Sequence, residues 1–269
     1  MQDTRETAKS ASGADARSAR VSVVMPTYNE SGNIIELLQR ILNVLEGIGS
    51  PFEVTVVDDS SPDGTAELVK ARFGDDPRVQ LHVRVGERGL AKAIRRGIEL
   101  SRGSIIIVMD SDFNHDPKYI PQFLNLIQYY EVVVGSRFLY GGGMYSRWRY
   151  YASLSYSTFI RIVLGIPIRD KLSGFFAVRK ETLQRLPFDR IFYGYGDYFI
   201  RLLMVIVDLK LSVLEIPVYY DNRPAGESKT QFFKEFLRYT ASVLRLRFSN
   251  KTCRMNSEEK ERPISQPGT

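Results

Sequence analysis

The run Ser104-Ile105-Ile106-Ile107-Val108-Met109-Asp110-Ser111-Asp112 decides how this chain is read. Its first six residues, mostly apolar and β-branched, specify a buried strand. Two carboxylates at i and i+2 follow where the strand stops, a poor place for charge unless a cation sits there. On extended backbone both side chains point the same way, so one divalent ion could bridge Asp110 and Asp112 through hard oxygen ligands and in turn hold a diphosphate. An isolated pair of this kind is equally well a polar turn with helix-capping aspartates. The surrounding motifs decide between the two.

Outward from that strand the chain alternates. Val21–Met25, Phe52–Asp58, Val79–Val85 and Val132–Val134 have strand composition. Between them the apolar spacing predicts helices over Asn33–Glu46, Thr65–Phe73, Leu90–Leu100 and Pro117–Tyr130. This β-α repetition predicts an α/β fold, an open and mostly parallel sheet with helices on both faces. The second half is less regular. A helical, aromatic-rich stretch is expected over Tyr145–Leu164, strands over Phe175–Val178 and Leu211–Tyr219, and helices over Gly196–Val207 and Thr230–Arg247. A disordered leader is expected over residues 1–20, a catalytic domain over 21–229, an amphipathic helix over 230–248 and a disordered tail over 249–269.

Composition bounds the function. The 269 residues are 43% hydrophobic and 25% charged, which suits a globular enzyme. A single cysteine, Cys253, excludes a disulfide framework and points to a reducing compartment. One Cys and two His cannot make a structural zinc site. The net charge of +6 is spread along the chain with no nucleic-acid module, so phosphate ligands or an anionic membrane account for it and a nucleic-acid partner is not expected. Met1 to Arg20 lacks the apolar core of a signal peptide. The most apolar long stretch, Tyr198 to Val218, is interrupted by Arg201, Asp208, Lys210 and Glu215, so no membrane-spanning helix is expected.

In open α/β sheets ligands bind beyond the carboxyl ends of the strands, and the polar motifs of this chain sit at those ends. The strands run into Pro26-Thr27-Tyr28-Asn29-Glu30, into Asp58-Asp59-Ser60-Ser61-Pro62-Asp63-Gly64-Thr65, into Gly86-Glu87-Arg88-Gly89, into Asp110-Ser111-Asp112 and into Gly135-Ser136-Arg137. No G-x-G-x-x-G follows the first strand, which argues against a dinucleotide site.

With Ser173-Gly174-Phe175 and Gly226-Glu227-Ser228-Lys229 added in the same order, this set resembles the family-2 glycosyltransferases of GT-A fold, and among them the dolichyl-phosphate mannose synthases and their polyprenyl-phosphate relatives. The resemblance runs from about Val21 to Arg247. It implies that Pro26, Tyr28, Glu30 and Asp58 surround the base and ribose of a nucleotide sugar, with Asp59 and Ser111 in the same donor site. It implies Mg2+ or Mn2+ held by Asp110 and Asp112, with Asn114 as a third ligand. Arg137 and Arg149, with Ser173, would bind the acceptor phosphate, and Arg223, Ser228 and Lys229 would close over the diphosphates.

Two positions depart from the resemblance. Relatives usually carry Arg directly after Ser-Gly-Phe, whereas Phe176 follows Phe175 here; and Gly194-Tyr195-Gly196-Asp197 offers only Asp197 where mannose synthases often have Gln and Glu. Both lie where sugar or acceptor is read. The resemblance implies an inverting transfer of a hexose, mannose from GDP-mannose first, onto dolichyl or polyprenyl phosphate. The alternatives are a UDP-sugar donor such as UDP-glucose, or a polysaccharide hydroxyl acceptor, for which Asp197 would have to be the catalytic base. A non-catalytic nucleotide-sugar-binding subunit is a further alternative.

The chain must also reach a lipid. Thr230–Arg247 places Phe232, Phe233, Phe236, Leu237, Thr240, Val243 and Leu244 on one side, with Lys234, Arg238 and Arg245 off that stripe. Trp148, Arg149, Tyr150, Tyr151 and Arg161 have interface composition. A peripheral position on the cytosolic face of a membrane is expected, with a membrane-spanning partner subunit as one way of holding it there.

Overall fold

The structure, a computed structural model, describes residues 20–221 and 237–248. The elements that build the sheet follow the expected alternation: β1 (Val21–Thr27), α1 (Ile34–Ile48), β2 (Phe52–Asp58), α2 (Thr65–Phe73), β3 (Val79–Val83), α3 (Leu90–Leu100), β4 (Ile105–Val108), α4 (Ile120–Leu126) and β5 (Val132–Ser136). Then come β6 (Gly143–Met144), α5 (Arg147–Leu164), β7 (Phe176–Arg179), the short helices α6 (Lys180–Gln184) and α7 (Phe188–Ile191), α8 (Tyr198–Asp208), β8 (Val213–Pro217), β9 (Tyr219–Tyr220) and α9, residues 237–248.

The seven-stranded sheet has the order β3-β2-β1-β4-β7-β5-β8. All pairs are parallel except those of β7, which runs antiparallel to β4 and to β5. The order reverses at β1 and β4, so the crevice beyond their carboxyl ends is a switch point of the kind where α/β folds bind ligands. Asp110 and Asp112 follow β4, at that crevice.

Side-chain alternation divides the core into two layers. Val21, Val23, Met25, Ile105 and Ile107 face α1, α2 and α4, and α1 contributes Leu37, Leu38, Ile41, Leu42 and Leu45. Val24, Ile106, Val108, Val132 and Val134 face the other way, toward α3, α5, α8 and Val243 of α9. Each such side chain contributes roughly 1.5–3 kcal/mol through removal from water. Val243, on the expected apolar stripe of the last helix, is fully buried, whereas Leu237 and Leu244 are exposed.

Several boundaries differ from the sequence reading. β3 stops at Val83, after which Ser60 and Asp59 capture the carbonyl and side chain of Arg84. The helix expected over Pro117–Tyr130 begins with a 3-10 turn, Pro117–Tyr119, and its α-helical part ends at Leu126. Asp116 caps that first turn with its side chain on the Lys118 N–H at 2.9 Å. The strand expected over Leu211–Tyr219 breaks at Val218, whose N–H bonds Ser136 O, so that Tyr219–Tyr220 pairs instead with Gly143–Met144. Among the described residues, no helix is long and apolar enough to cross a membrane. The expected leader, apart from Arg20, and the expected tail lie outside the described residues, as does the first part of the expected Thr230–Arg247 helix.

Candidate active site

A cleft of about 1230 Å³ opens over the carboxyl ends of β1 and β4, lined at one side by Pro26, Tyr28, Glu30 and Arg88 and at the other by α5. Asp110 lies between them with its side chain 40% exposed, while Asp112 is almost buried. The turn that carries them is held from several sides. Ser111 Oγ donates to Pro26 O at 3.1 Å, Asp112 Oδ1 accepts from the Asn114 N–H at 3.1 Å, and Asn114 Nδ2 donates to Asp112 Oδ2 at 3.0 Å. Phe113 between them has φ of 64°, a left-handed backbone unusual for an aromatic residue. The Arg40 guanidinium stands 4.9 Å from its ring centroid.

His115 completes the turn. Its ring is fully buried and stacks on Phe175 at 4.6 Å, and its Nδ1 accepts the Asp110 N–H at 2.8 Å. That bond requires the neutral Nε2–H tautomer. Burial pushes the imidazole pKa down to about 4, so the ring stays neutral at physiological pH. Nε2 reaches the Tyr220 hydroxyl at 2.7 Å and Ser173 O at 3.0 Å.

Arg137 stands at the end of β5, buried, with its forked donors taken by Asp170: Nε to Oδ2 at 2.7 Å and Nη2 to Oδ1 at 2.8 Å. Burial alone would favour the neutral guanidine, but the Asp170 carboxylate outweighs it and raises the Arg137 pKa. The guanidinium also lies 4.8 Å from the Tyr220 ring centroid, and Arg137 still lines the cleft. Arg149 lines it too, from the exposed face of α5. Ser173 is buried and its Oγ lies 2.9 Å from the Tyr220 hydroxyl. Gly174 beside it has φ of +71°, and a Cβ there would come within 3.4 Å of the Tyr198 hydroxyl, so the turn suits glycine.

Among the described residues no group of three or more His, Cys, Asp or Glu side chains could hold a metal. Asp110 and Asp112 at the cleft are hard oxygen donors, of the kind that suits Mg2+ or Mn2+ when the remaining positions come from substrate phosphate and water. The donor set fits such an ion.

The profile of Glycosyl transferase family 2 matches residues 22–186. The chain belongs to glycosyl transferase family 2. Over 235 residues this glycosyltransferase is 35% identical to the dolichol-phosphate mannosyltransferase of Pyrococcus furiosus, an alignment that takes in 84% of this chain and 63% of that protein. The chain thus spans less than two thirds of that relative's length. It is also 35% identical over 217 residues to the undecaprenyl-phosphate mannosyltransferase of Micrococcus luteus, covering 78% of this chain and 87% of that one. Among solved structures it is similar to the glucosyl-3-phosphoglycerate synthase of Mycobacterium tuberculosis. The complex of that protein with Mn2+, UDP-glucose and phosphoglyceric acid matches with a TM-score of 0.64 at 20% identity, over 88% of this chain and 81% of that one. Its complex with Mg2+ and UDP matches with a TM-score of 0.63 at 21% identity, over the same shares. At these identities the likeness establishes the fold, the mixed α/β sheet of the GT-A enzymes.

In the glycosyltransferase, the expected donor residues divide into two groups. Pro26, Tyr28, Glu30, Asp110, Ser111, Asp112 and Asn114 line the cleft. Asp58 and Asp59 lie beneath it and brace its loops. Asp58 is buried and accepts from Ser61 N at 2.8 Å, Ser61 Oγ at 2.5 Å and Thr27 Oγ1 at 3.0 Å. Asp59 accepts from Arg84 Nε at 2.7 Å and from the Gly89 N–H at 2.8 Å. It thereby anchors the loop that sets Arg88 over the Tyr28 ring, 3.6 Å from its centroid. Asp197 is nearly buried behind Gly196 and does not line the cleft. Its Oδ2 pairs with Arg201 Nη1 at 2.5 Å and accepts from Ser242 Oγ of α9 at 2.8 Å, while Oδ1 accepts the Tyr195 N–H at 3.1 Å. Arg223, Ser228 and Lys229 lie outside the described residues.

Sequence reasoning did not find Asp170, Arg201 or Tyr220. Each acts through a partner up to 105 residues away or inside an apolar segment, and none stands in a strand-end motif. Only the acidic residue two positions before Leu172, close to Ser173-Gly174-Phe175, was a signal that could have been followed.

Proposed function

We propose that this protein is a metal-dependent, inverting glycosyltransferase that moves a hexose, mannose from GDP-mannose first, onto dolichyl or a related polyprenyl phosphate at the cytosolic face of a membrane. The observation that carries the acceptor class is the engagement of Asp197. A hydroxyl acceptor must lose a proton as it attacks and needs a base within hydrogen-bond reach. Asp197, the carboxylate expected for that task, is committed to Arg201, Ser242 and the Tyr195 backbone and is outside the cleft wall. A phosphomonoester has a second pKa near ~6 and arrives already ionised, so it needs no such base.

The two 35% identical relatives, which are named for transfer of mannose onto dolichol phosphate and undecaprenyl phosphate, support the same acceptor class. In this mechanism the donor base lies against Tyr28 and Glu30, and the acceptor phosphate meets Arg137 and Arg149. Arg137 is preset by Asp170, so its orientation does not have to be found on binding. The acceptor oxygen attacks the anomeric carbon opposite the leaving diphosphate, which inverts configuration. Asp110 and Asp112 would hold a divalent cation, which when bound would supply charge neutralisation to that leaving group. Trp148, Tyr151 and Tyr145, all strongly exposed, stand beside Arg147 and Arg149 at the α5 wall. Aromatic tips with flanking arginines suit a lipid headgroup region.

The UDP-glucose complexes of the Mycobacterium tuberculosis neighbour favour a second donor reading, UDP-glucose, on the same geometry. The test is to incubate purified protein, Mn2+ and a short-chain polyprenyl phosphate with labelled nucleotide sugars in turn. Label extracted into organic solvent from GDP-mannose supports the reading; label from UDP-glucose alone replaces the donor, and label only on sugar hydroxyls overturns the acceptor.

A further inference from the structure

The Tyr220 side chain touches both halves of the site. Its hydroxyl lies 2.7 Å from His115 Nε2, 2.9 Å from Ser173 Oγ and 3.0 Å from Ser173 O. Its ring supports the Arg137 guanidinium at 4.8 Å. The direction of the bond from His115 is fixed by what its other ring nitrogen accepts. Asp110 N–H donates to His115 Nδ1, so Nε2 must carry the proton and donate to the Tyr220 oxygen. The Tyr220 hydroxyl then donates to Ser173 O. Burial raises the Tyr220 pKa well above its ordinary value, so the phenol keeps its proton and the chain keeps one direction.

Such a chain orders the Asp110 backbone from behind. It involves no charge of its own, and it ends on the serine that starts the Ser173-Gly174 turn. The tyrosine ring, separately, sets the height of the acceptor guanidinium. Residue 220 also closes β9 and is three positions before Arg223 in the chain.

We propose that Tyr220 is a positioning residue that ties the metal carboxylate turn to the acceptor arginine, the hydroxyl acting on Asp110 through His115 and the ring acting on Arg137. The inference rests on the proposed function, and its two halves separate by variant. Tyr220→Phe removes only the hydroxyl: His115 Nε2 keeps Ser173 O at 3.0 Å, and the ring still supports Arg137. Tyr220→Leu removes both.

The experiment measures GDP affinity by titration calorimetry with and without Mn2+, alongside KM and kcat for a short polyprenyl phosphate. For Tyr220→Phe the expected result is a loss of about tenfold in the Mn2+-dependent part of GDP affinity, the low end of what outer partners of metal ligands contribute. Metal-free GDP affinity and the acceptor KM stay at wild-type values, and kcat falls. For Tyr220→Leu the acceptor KM rises as well. Equal weakening of GDP with and without Mn2+, or wild-type values throughout in Tyr220→Phe, overturns the proposal. So does an unchanged acceptor KM in Tyr220→Leu. If wild-type protein transfers nothing to polyprenyl phosphate, the proposed function fails, and the calorimetric comparison still decides the Asp110 half by itself.

Discussion

Asp197 and Arg201 face each other one helical turn apart, Oδ2 to Nη1 at 2.5 Å, with both side chains buried. Arg201 is held in turn by Ile191 O at 2.9 Å and by Tyr193 O, and its guanidinium lies 3.7 Å from the Tyr193 ring centroid. The pair fastens the 191–197 loop and, through Ser242, the last helix. It has the form of a structural clamp.

Asp197→Asn is therefore expected to keep transfer to a phosphate acceptor within about tenfold per folded molecule, well short of the 10²–10⁴ that a general base contributes. Arg201→Met leaves a carboxylate buried without its partner and should lower the urea midpoint far more. Steady-state rates corrected for folded fraction, with a urea titration beside them, check both. A rate for Asp197→Asn reduced a thousandfold with unchanged stability would restore it as a base.

Asp170→Ala strands the Arg137 guanidinium in the interior. Removing one partner of a buried pair costs about 3–5 kcal/mol. Part of that loss is expected as stability and part as a raised acceptor KM, because Arg137 is free to tilt. Asp170→Asn, which keeps one acceptor oxygen, should fall between. Chemical denaturation and acceptor saturation curves on the same preparations measure the two parts.

His115 makes stability depend on pH in a stated direction. Its folded pKa is about 4 against an ordinary 6.5, so between those values the unfolded chain binds a proton that the native ring refuses. Stability is thus present above pH 6.5 and declines as pH falls toward 4, by about 3 kcal/mol at 1.36 kcal/mol per unit. Urea midpoints of metal-free protein should show this slope, and His115→Asn should flatten it in that window. Glu53 and Asp63, whose pKa values are lowered, act at more acid pH and stay in both proteins.

How much of this was legible before folding differs by residue. The Ile105–Val108 strand and the acids after it announced themselves, because a β-branched run ending in paired carboxylates has few other uses. The direction of β7 did not. Phe176–Arg179 is four residues long and buried on both faces, and such a run has no polarity of its own; the return path from β5 through α5 decides it. The cleft residues Tyr28, Glu30, Asp112 and Arg137 were readable from strand-end position. Asp170 was not, since its partner lies 33 residues earlier and only the packing of two loops brings them together. The loop bonds that Asp58 and Asp59 accept were not readable from sequence, because a carboxylate bracing a loop and one facing a ligand have the same local pattern.

Membrane contact should depend on α5. Trp148→Ala with Arg149→Ala removes a side chain that is 74% exposed and a cation at the cleft wall. Near an anionic surface an arginine contributes about 1 kcal/mol, so co-sedimentation with phosphatidylserine vesicles should weaken by at least fivefold, about the factor equivalent to that energy. Equal binding by the double variant and the parent protein would move the lipid contact elsewhere.

In the proposed reaction Asp110 and Asp112 would hold a cation on a sugar nucleotide while arginines present a lipid phosphate to it. The most direct measurement is the yield of organic-extractable label from GDP-mannose and short-chain polyprenyl phosphate with Mn2+, compared across wild type, Asp110→Asn and Asp112→Asn. Loss of either carboxylate should cost about 2.7–4 kcal/mol of transition-state stabilisation, a fall of a hundredfold or more, while the variants remain folded. Undiminished lipid labelling by folded Asp110→Asn protein would contradict the account.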